Sequence, residues 1–300
     1  MVTTGKAPAG ASGGVEIAYE TFGDPGDVPV LLVMGLGAQL ISWREGFCRA
    51  LVERGHFVVR YDNRDVGLST HLHDAPRPDF GALLAGDGSS AAYRLGDMAD
   101  DAVRLLDHLG LGSAHLVGAS LGGMIAQTIT IDHPDRVRSL TSIMSTTGDR
   151  SVGGATPAAT AVLLRPPSTS REEAVQRDVE AQRVLGSPGY PIEEAEVRER
   201  AGQAYDRATD PAGVARQLAA IYASGDRTAA LSGVGVPTLV VHGSADPLID
   251  VSGGRATAAA VPGAELVVVE GMGHDLPAAL WPQVVDAITG LIARGEQQGG

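Results

Sequence analysis

The stretch LVGASLGGM at positions 116–124 constrains the fold of this chain more than any other. A short apolar run from Ala114 to Val117 predicts a strand, and the residues from Met124 onward predict a helix. The residues between them, GASLGG at 118–123, read as the end of the strand, a one-residue turn with Ser120 at its apex, and the start of the helix. Such a turn strains its backbone and leaves room only for small neighbours, so glycine is needed at positions 118 and 122. The pattern predicts a serine hydroxyl raised above a strand end. The alternative is a glycine-rich turn in which Ser120 only caps the helix.

Two backbone amides are candidate donors to an anion beside this serine. The amide of Leu121 lies at the helix start, where N–H groups point towards a negative charge. A second glycine-rich loop, Gly35-Leu36-Gly37, follows the continuous apolar run from Pro29 to Met34, which predicts a strand buried on both faces. We expect the Leu36 amide to be the second donor.

The composition indicates a globular protein with a sizeable core, because 44% of its 300 residues are apolar. The formal charge of −13 argues against nucleic acid and anionic membrane surfaces as partners. Cys48 is the single cysteine, so no intramolecular disulfide and no cysteine metal cluster is expected, and it reads as a packing residue. We expect the Gly- and Ala-rich segment Met1 to Gly14 to be a disordered leader without signal-peptide character. A cytoplasmic location is the default expectation, and the oligomeric state is not defined.

The order of predicted elements indicates an α/β fold. Strand and helix alternate up to Thr147, whereas alanine-rich helices without a buried strand occupy the chain from there to about Leu231. The strand pattern then resumes. We therefore predict a mostly parallel central sheet with helices on both faces and an inserted helical cap. The α/β core would comprise residues 1–147 and 232–300, and the cap, residues 148–231, would not be an independent domain. The predicted strands are Val15 to Phe22, Pro29 to Met34, His56 to Tyr61, Ala114 to Val117, Val137 to Met144, Pro237 to Val241 and Glu265 to Val269.

A nucleophilic serine needs a base and an acid that orients the base. His274 follows the last predicted strand in the sequence GMGHD, so it lies at the carboxyl edge of a parallel sheet, on the same side as Ser120. His242, near another strand end, is the rival.

The acid should also leave the carboxyl end of a strand. Asp246 does so directly, whereas Asp250 lies nearer the next helix, where it could act as a cap. We therefore predict Ser120, Asp246 and His274 as nucleophile, acid and base, in the chain order of α/β-hydrolases.

The charges between Asp62 and Ser69 most simply form a local ion-pair and hydrogen-bond network.

From Val15 to Ala293 the chain resembles the α/β-hydrolase superfamily, and most closely bacterial serine esterases with a helical cap, including the methylesterases of anthracycline biosynthesis. Many members have His-Gly where this chain has Met34-Gly35, a difference that leaves the Leu36 amide available. The serine nucleophile separates the chain from the haloalkane dehalogenase and epoxide hydrolase branches, which use aspartate. The matching motifs are GASLG at 118–122, MGLG at 34–37, the stretch 62–69, Gly243-x-x-Asp246 and Gly273-His274.

The resemblance implies a serine-dependent carboxylic ester hydrolase that acts through an acyl-enzyme on a small-molecule ester, without a metal or organic cofactor. The alternatives are a cofactor-free perhydrolase of the haloperoxidase type, a carbon–carbon bond hydrolase and a non-catalytic small-molecule receptor. The cap contains few aromatic residues, namely Tyr190, Tyr205 and Tyr222. On that ground we expect esters with short to medium aliphatic acyl chains to be preferred over methyl esters of large fused-ring substrates.

Overall fold

The computed structural model describes residues 2–9 and 14–298. These residues contain one sheet of eight strands in the order β1-β2-β4-β3-β5-β6-β7-β8. The pairs β1–β2 and β2–β4 are antiparallel, and the remaining neighbours are parallel. The strands are β1 Val2–Ala9, β2 Val15–Phe22, β3 Val28–Val33, β4 His56–Tyr61, β5 Ala114–Ala119, β6 Val137–Ile143, β7 Thr238–Gly243 and β8 Glu265–Val269.

Helices cover both faces of the sheet. The helices are α1 Glu45–Val52, α2 Phe80–Leu84, α3 Leu95–His108, α4 Leu121–Asp132, α5 Pro157–Leu163, α6 Arg171–Leu185, α7 Glu194–Arg207, α8 Pro211–Ser224, α9 Thr228–Leu231, α10 Val251–Ala260 and α11 Trp281–Gln298. One apolar cluster, with Met98 and Ile125, joins α3 and α4 to the sheet. A second, with Phe47 and Ile288, joins α1 and α11 to the opposite face. The predicted α/β class and the helices on both faces are confirmed.

The expected disorder of the leader is wrong for residues 2–9, while residues 1 and 10–13 lie outside the described part of the chain. β1 pairs with β2 over its full length, from Val2 opposite Phe22 to Ala9 opposite Val15. Ala7 and Ala9 are buried. This strand is held by backbone hydrogen bonds and by the packing of small side chains. Its sequence therefore lacks the alternation of large apolar residues by which strands are recognised.

The central parallel strands are buried on both faces, as their apolar runs predict. Every residue of β4, β5 and β7 is buried. Parallel strands end at one edge of the sheet, so the loops that follow β3, β5, β7 and β8 meet there. This edge carries all five predicted site residues.

The chain between β6 and β7 forms helices α5 to α9 and, in the described residues, no strand. We call residues 148–231 the cap. Two ion pairs with buried core carboxylates join it to the core: Arg207 of α7 with Asp62, and Arg216 of α8 with Asp65. Among the described residues, the structure contains no helix that is long and apolar enough to cross a bilayer.

Candidate active site

Ser120 occupies the single residue between β5 and α4, as the sequence predicts. Its backbone has φ 55° and ψ −120°, a conformation that non-glycine residues adopt rarely. A Cβ on Gly118 would overlap the Gly122 carbonyl, and a Cβ on Gly122 would overlap the Val33 carbonyl. Both glycines are therefore required by close backbone approach, and the turn can form only with this spacing.

The structure brings Ser120, His274 and Asp246 together in one hydrogen-bonded row. Nε2 of His274 lies 3.0 Å from the Ser120 Oγ, and Nδ1 lies 2.8 Å from Oδ2 of Asp246. The other carboxylate oxygen, Oδ1, accepts hydrogen bonds of 2.9 Å from the amides of Leu248 and Ile249. Since the Asp246 side chain is fully buried, these bonds fix its orientation. An ionised Asp246 holds the proton of His274 on Nδ1 and leaves Nε2 free to accept one from serine.

The two rival residues have other roles. His242 is fully buried, and its Nε2 lies 2.8 Å from the Ile249 carbonyl, to which it must donate. Burial lowers the pKa of His242, which favours its neutral form. The Asp250 carboxylate caps the N-terminus of α10 by accepting from the Ser252 amide at 2.9 Å. Asp250 therefore acts as the helix cap that its position suggested.

The two candidate amide donors flank the serine. A Cβ on Gly35 would lie 3.2 Å from the Ser120 Cβ, so the loop that carries Leu36 packs directly against the serine. Leu121 is the first residue of α4, and the first amides of a helix have no acceptor within it. In the described part of the chain neither amide donates to another loop or cap acceptor. Both therefore remain available as hydrogen-bond donors beside Ser120.

Comparison with known proteins decides the family. The profile of the alpha/beta hydrolase fold matches residues 28–277. The chain belongs to the α/β-hydrolase family. It is 32% identical over 294 residues to rhodomycin D methylesterase DnrP of Streptomyces peucetius, a match covering 91% of this chain and 94% of the relative.

Solved structures share the fold of this α/β-hydrolase. A hydrolase from Pseudomonas aeruginosa PA01 superimposes with a TM-score of 0.69 at 25% identity, over 96% of this chain and 97% of that one. The enol-lactonase from Burkholderia xenovorans LB400 gives a TM-score of 0.73 at 22% identity, over 96% and 100% of the two chains. At this identity the second likeness shows the fold alone.

The hydrogen bonds predicted between Asp62 and Ser69 are present, but the expectation of local ion pairs is wrong. The three charged partners lie outside the loop: Arg207 for Asp62, Asp101 for Arg64 and Arg216 for Asp65. The Asp62 carboxylate accepts from the Leu40 and Leu68 amides at 2.7 and 2.9 Å, and Arg207 of the cap pairs with it at 2.6 Å. Burial raises the pKa of Asp62, and Arg207 and the two amides oppose that rise. The loop therefore binds the cap as well as fixing its own conformation.

A cavity of about 800 Å³ separates Ser120 and His274 from the cap. Its aliphatic wall comes from both the core and the cap, with Leu36 and Met144 of the core and Val214 and Leu218 of α8. Aromatic side chains also line it, namely Trp43, Phe47, Phe80, Tyr205 and Trp281. Four of the five come from the core, so the sequence analysis, which counted only the cap, understated the aromatic surface.

His71, His73 and Asp210 offer three potential metal-ligand atoms within 4.8 Å of one another. Their partners argue against a metal site. The two ring nitrogens of His71 already lie 2.9 Å from Oδ2 of Asp210 and from the Gly67 carbonyl. The Arg216 guanidinium lies 3.2 Å from that same carboxylate oxygen, where it would repel a cation. The cluster joins the cap to the core.

Sequence reasoning missed the side chains that support the site. Gln217 of α8 is fully buried, and its Oε1 accepts from the Gly37 amide at 2.9 Å, beside the Leu36 amide. Ser187 and Gln182 of the cap contact the loop that carries His274. These bonds join residues far apart in the chain, and no local pattern marks them. The one available signal was Asp275, a second ionisable residue directly after the predicted base.

Proposed function

We propose that this chain is a serine-dependent carboxylic ester hydrolase that acts through an acyl-enzyme. The observation that carries the proposal is the row Ser120–His274–Asp246, with hydrogen bonds of 3.0 and 2.8 Å, of which Ser120 and His274 line one cavity. The 32% identity to a rhodomycin D methylesterase over 91% of the chain supports ester hydrolysis.

The geometry accounts for each step. Nε2 of His274 removes the hydroxyl proton as Ser120 attacks the ester carbonyl carbon, and the carbonyl oxygen becomes an oxyanion. The amides of Leu36 and Leu121 stabilise that charge. The protonated His274 then gives its proton to the departing alkoxide, and the acyl group stays on Ser120. In the second half, His274 deprotonates a water molecule that attacks the acyl-enzyme, and the carboxylic acid and free serine are released.

We propose apolar esters of small to medium size as substrates, and we expect the medium-sized ones to be preferred. The 800 Å³ cavity falls within the span of pockets for drug-sized ligands, and aliphatic and aromatic side chains line its wall near Ser120. Each buried methylene contributes about 0.8 kcal/mol, or about fourfold in kcat/KM. We expect kcat/KM to rise by that factor with each carbon of the acyl chain until the cavity is filled.

The methyl ester of a polycyclic acid is a second candidate substrate. The aromatic lining favours it, because Phe80, Tyr205 and Trp281 are all partly exposed to the cavity and could pack against flat rings. The relative's name points to the same reaction. This candidate shares the mechanism and differs in which part of the ester fills the cavity.

The test is a series of p-nitrophenyl esters from acetate to decanoate, measured beside one bulky polycyclic methyl ester, with Ser120→Ala as the control. A serine-directed phosphonate should add to Ser120 alone, and labelling at another serine would contradict the proposal. A tenfold higher kcat/KM for the polycyclic ester would assign the second substrate class. No turnover of any ester, with no labelling, would refute ester hydrolysis itself.

A further inference from the structure

The loop that carries His274 is held from two sides. The core binds its first part: the Ala245 amide donates to the Met272 carbonyl at 3.0 Å, and the Gly271 amide donates to the Ser244 hydroxyl at 3.0 Å. Beyond Met272, the amides of Gly273 and His274 and the side chain of Asp275 bond to the cap, whereas the His274 ring bonds to Asp246 and Ser120 of the core. The backbone on both sides of the imidazole is therefore held by the cap, and the imidazole itself by the core.

Backbone contacts form the first part of this attachment. The His274 amide donates to the Leu185 carbonyl at 2.7 Å. Leu185 is the last residue of α6, and the last carbonyls of a helix have no partner within it. A Cβ on Gly273 would overlap the Leu185 and Gly186 carbonyls. The cap backbone therefore lies directly against the loop, and only glycine fits at position 273.

Ser187 forms the second part. It is 4% exposed, and its hydroxyl oxygen accepts from the Gly273 amide at 2.8 Å. The same hydroxyl donates to Oδ1 of Asp275, and Nε2 of Gln182 donates to Oδ2 of Asp275 at 2.5 Å. Ser187 thus binds the residues on both sides of His274, and Gln182 holds the carboxylate from its other oxygen.

We infer that Ser187, together with Asp275, is a positioning residue for the base: it holds the His274 loop in register with Ser120 and makes the active geometry depend on a docked cap. The inference rests on the proposed function. Ser187 does not line the cavity, so it acts through His274 and not on the substrate, whereas Asp275 does line the cavity. Any motion that lifts the end of α6 off the loop also moves the imidazole away from the serine hydroxyl.

The test is Ser187→Ala, compared with Ser187→Thr, which keeps a hydroxyl. A misplacement of about 1 Å can cost about 100-fold in rate. We expect Ser187→Ala to lower kcat by about 10- to 100-fold with KM changed by less than about threefold, because the cavity wall is unaltered. The rate of phosphonate addition to Ser120 should fall by the same factor, and Ser187→Thr should recover part of it.

The matched control is Ser232→Ala, which removes one hydrogen bond, to the Ala229 carbonyl, from an exposed serine directly after the cap. We expect no change in kcat. A readout that needs no substrate is the downfield proton resonance of Nδ1–H in His274, which should broaden in Ser187→Ala. Should Ser187→Ala not fold, Asp275→Ala replaces it, since it keeps the Gly273 contact and should still lower kcat several-fold. Because Asp275 lines the cavity, the substrate-free Nδ1–H signal decides that case: it should broaden if positioning is lost and stay sharp if only the cavity wall has changed.

The outcomes separate the inference from the proposed function. An inactive and unlabelled wild-type protein would refute the function. An active wild-type protein whose kcat and Nδ1–H signal survive Ser187→Ala and Asp275→Ala would overturn the positioning role. A loss confined to KM would do the same, because it would assign these residues to substrate binding.

Discussion

Replacing Asp246 by asparagine should disable the enzyme by imposing the wrong form of His274. The Oδ1 position faces two N–H donors, the amides of Leu248 and Ile249 at 2.9 Å. An asparagine must place its carbonyl oxygen there, because an NH2 group would oppose two donors. The NH2 group is then turned to the Oδ2 position, 2.8 Å from Nδ1 of His274. Nδ1 must accept, so the ring proton moves to Nε2, where it blocks proton transfer from Ser120.

The size of the effect follows from this tautomer. In a serine protease, the same Asp→Asn substitution at the acid of the triad keeps the geometry of the site and lowers kcat about 10⁴-fold. That factor corresponds to about 5 kcal/mol of transition-state stabilisation. The Asp246 side chain is fully buried here, so water offers no alternative orientation for the amide. We expect a loss of about 10⁴-fold in kcat, with KM changed little.

The assay is steady-state hydrolysis of a p-nitrophenyl ester by Asp246→Asn and by Asp250→Asn as the matched control. Asp250 accepts one hydrogen bond at the start of α10, and asparagine caps helices about as well as aspartate. Asp250→Asn should therefore keep kcat within about threefold. Equal losses in the two variants, or a loss below tenfold in Asp246→Asn, would refute this reasoning.

Three further outcomes are expected. Ser120→Ala should lower kcat by at least about 10⁴-fold, while the melting temperature, followed by circular dichroism, shifts by no more than about 2–4 °C. Gln217→Leu leaves the Gly37 amide and the Arg64 carbonyl unpaired. Urea unfolding should therefore show a free energy of unfolding lower by about 2–5 kcal/mol, and kcat should fall about tenfold in the folded protein. Unchanged stability would contradict the buried contact. Burial lowers the pKa of His115 to about 4 in the folded protein, against about 6.5 in the unfolded chain. As the pH falls below about 6.5, the unfolded chain therefore binds a proton that the folded protein does not, and stability is lost. From pH 7.5 to 5, urea unfolding should show wild type losing about 2 kcal/mol more than His115→Gln, and parallel curves would refute this.

The positions of Ser120, Asp246 and His274 could be predicted because each follows directly on a strand of a parallel sheet. Parallel strands end at one edge, so residues 120, 246 and 274 must meet there once the strands are identified. Seven of the eight strands carry an apolar run or an apolar–polar alternation, and the structure has them within about two residues of their predicted bounds. β1 lacks such a run, and it was missed.

The supporting contacts could not be predicted. Ser187 and Gln182 reach Asp275 across 88 and 93 positions of the chain, through a segment whose packing no local pattern determines. Gln217 reaches Gly37 across 180 positions. Propensity and periodicity describe neighbours along the chain, whereas these bonds depend on how the cap lies on the core. The aromatic wall of the cavity was missed for the same reason.

The charges between cap and core argue that the two fold as one unit. The Asp62 and Asp65 side chains are fully buried, and their guanidinium partners, Arg207 and Arg216, belong to the cap. A buried charge that loses its partner is destabilised by about 3–5 kcal/mol. Removing the cap would leave both carboxylates without their guanidinium partners, and water that reaches them would offset part of that cost. We therefore expect the core to lose stability without its cap, and residues 148–231 to unfold together with the sheet in a single transition.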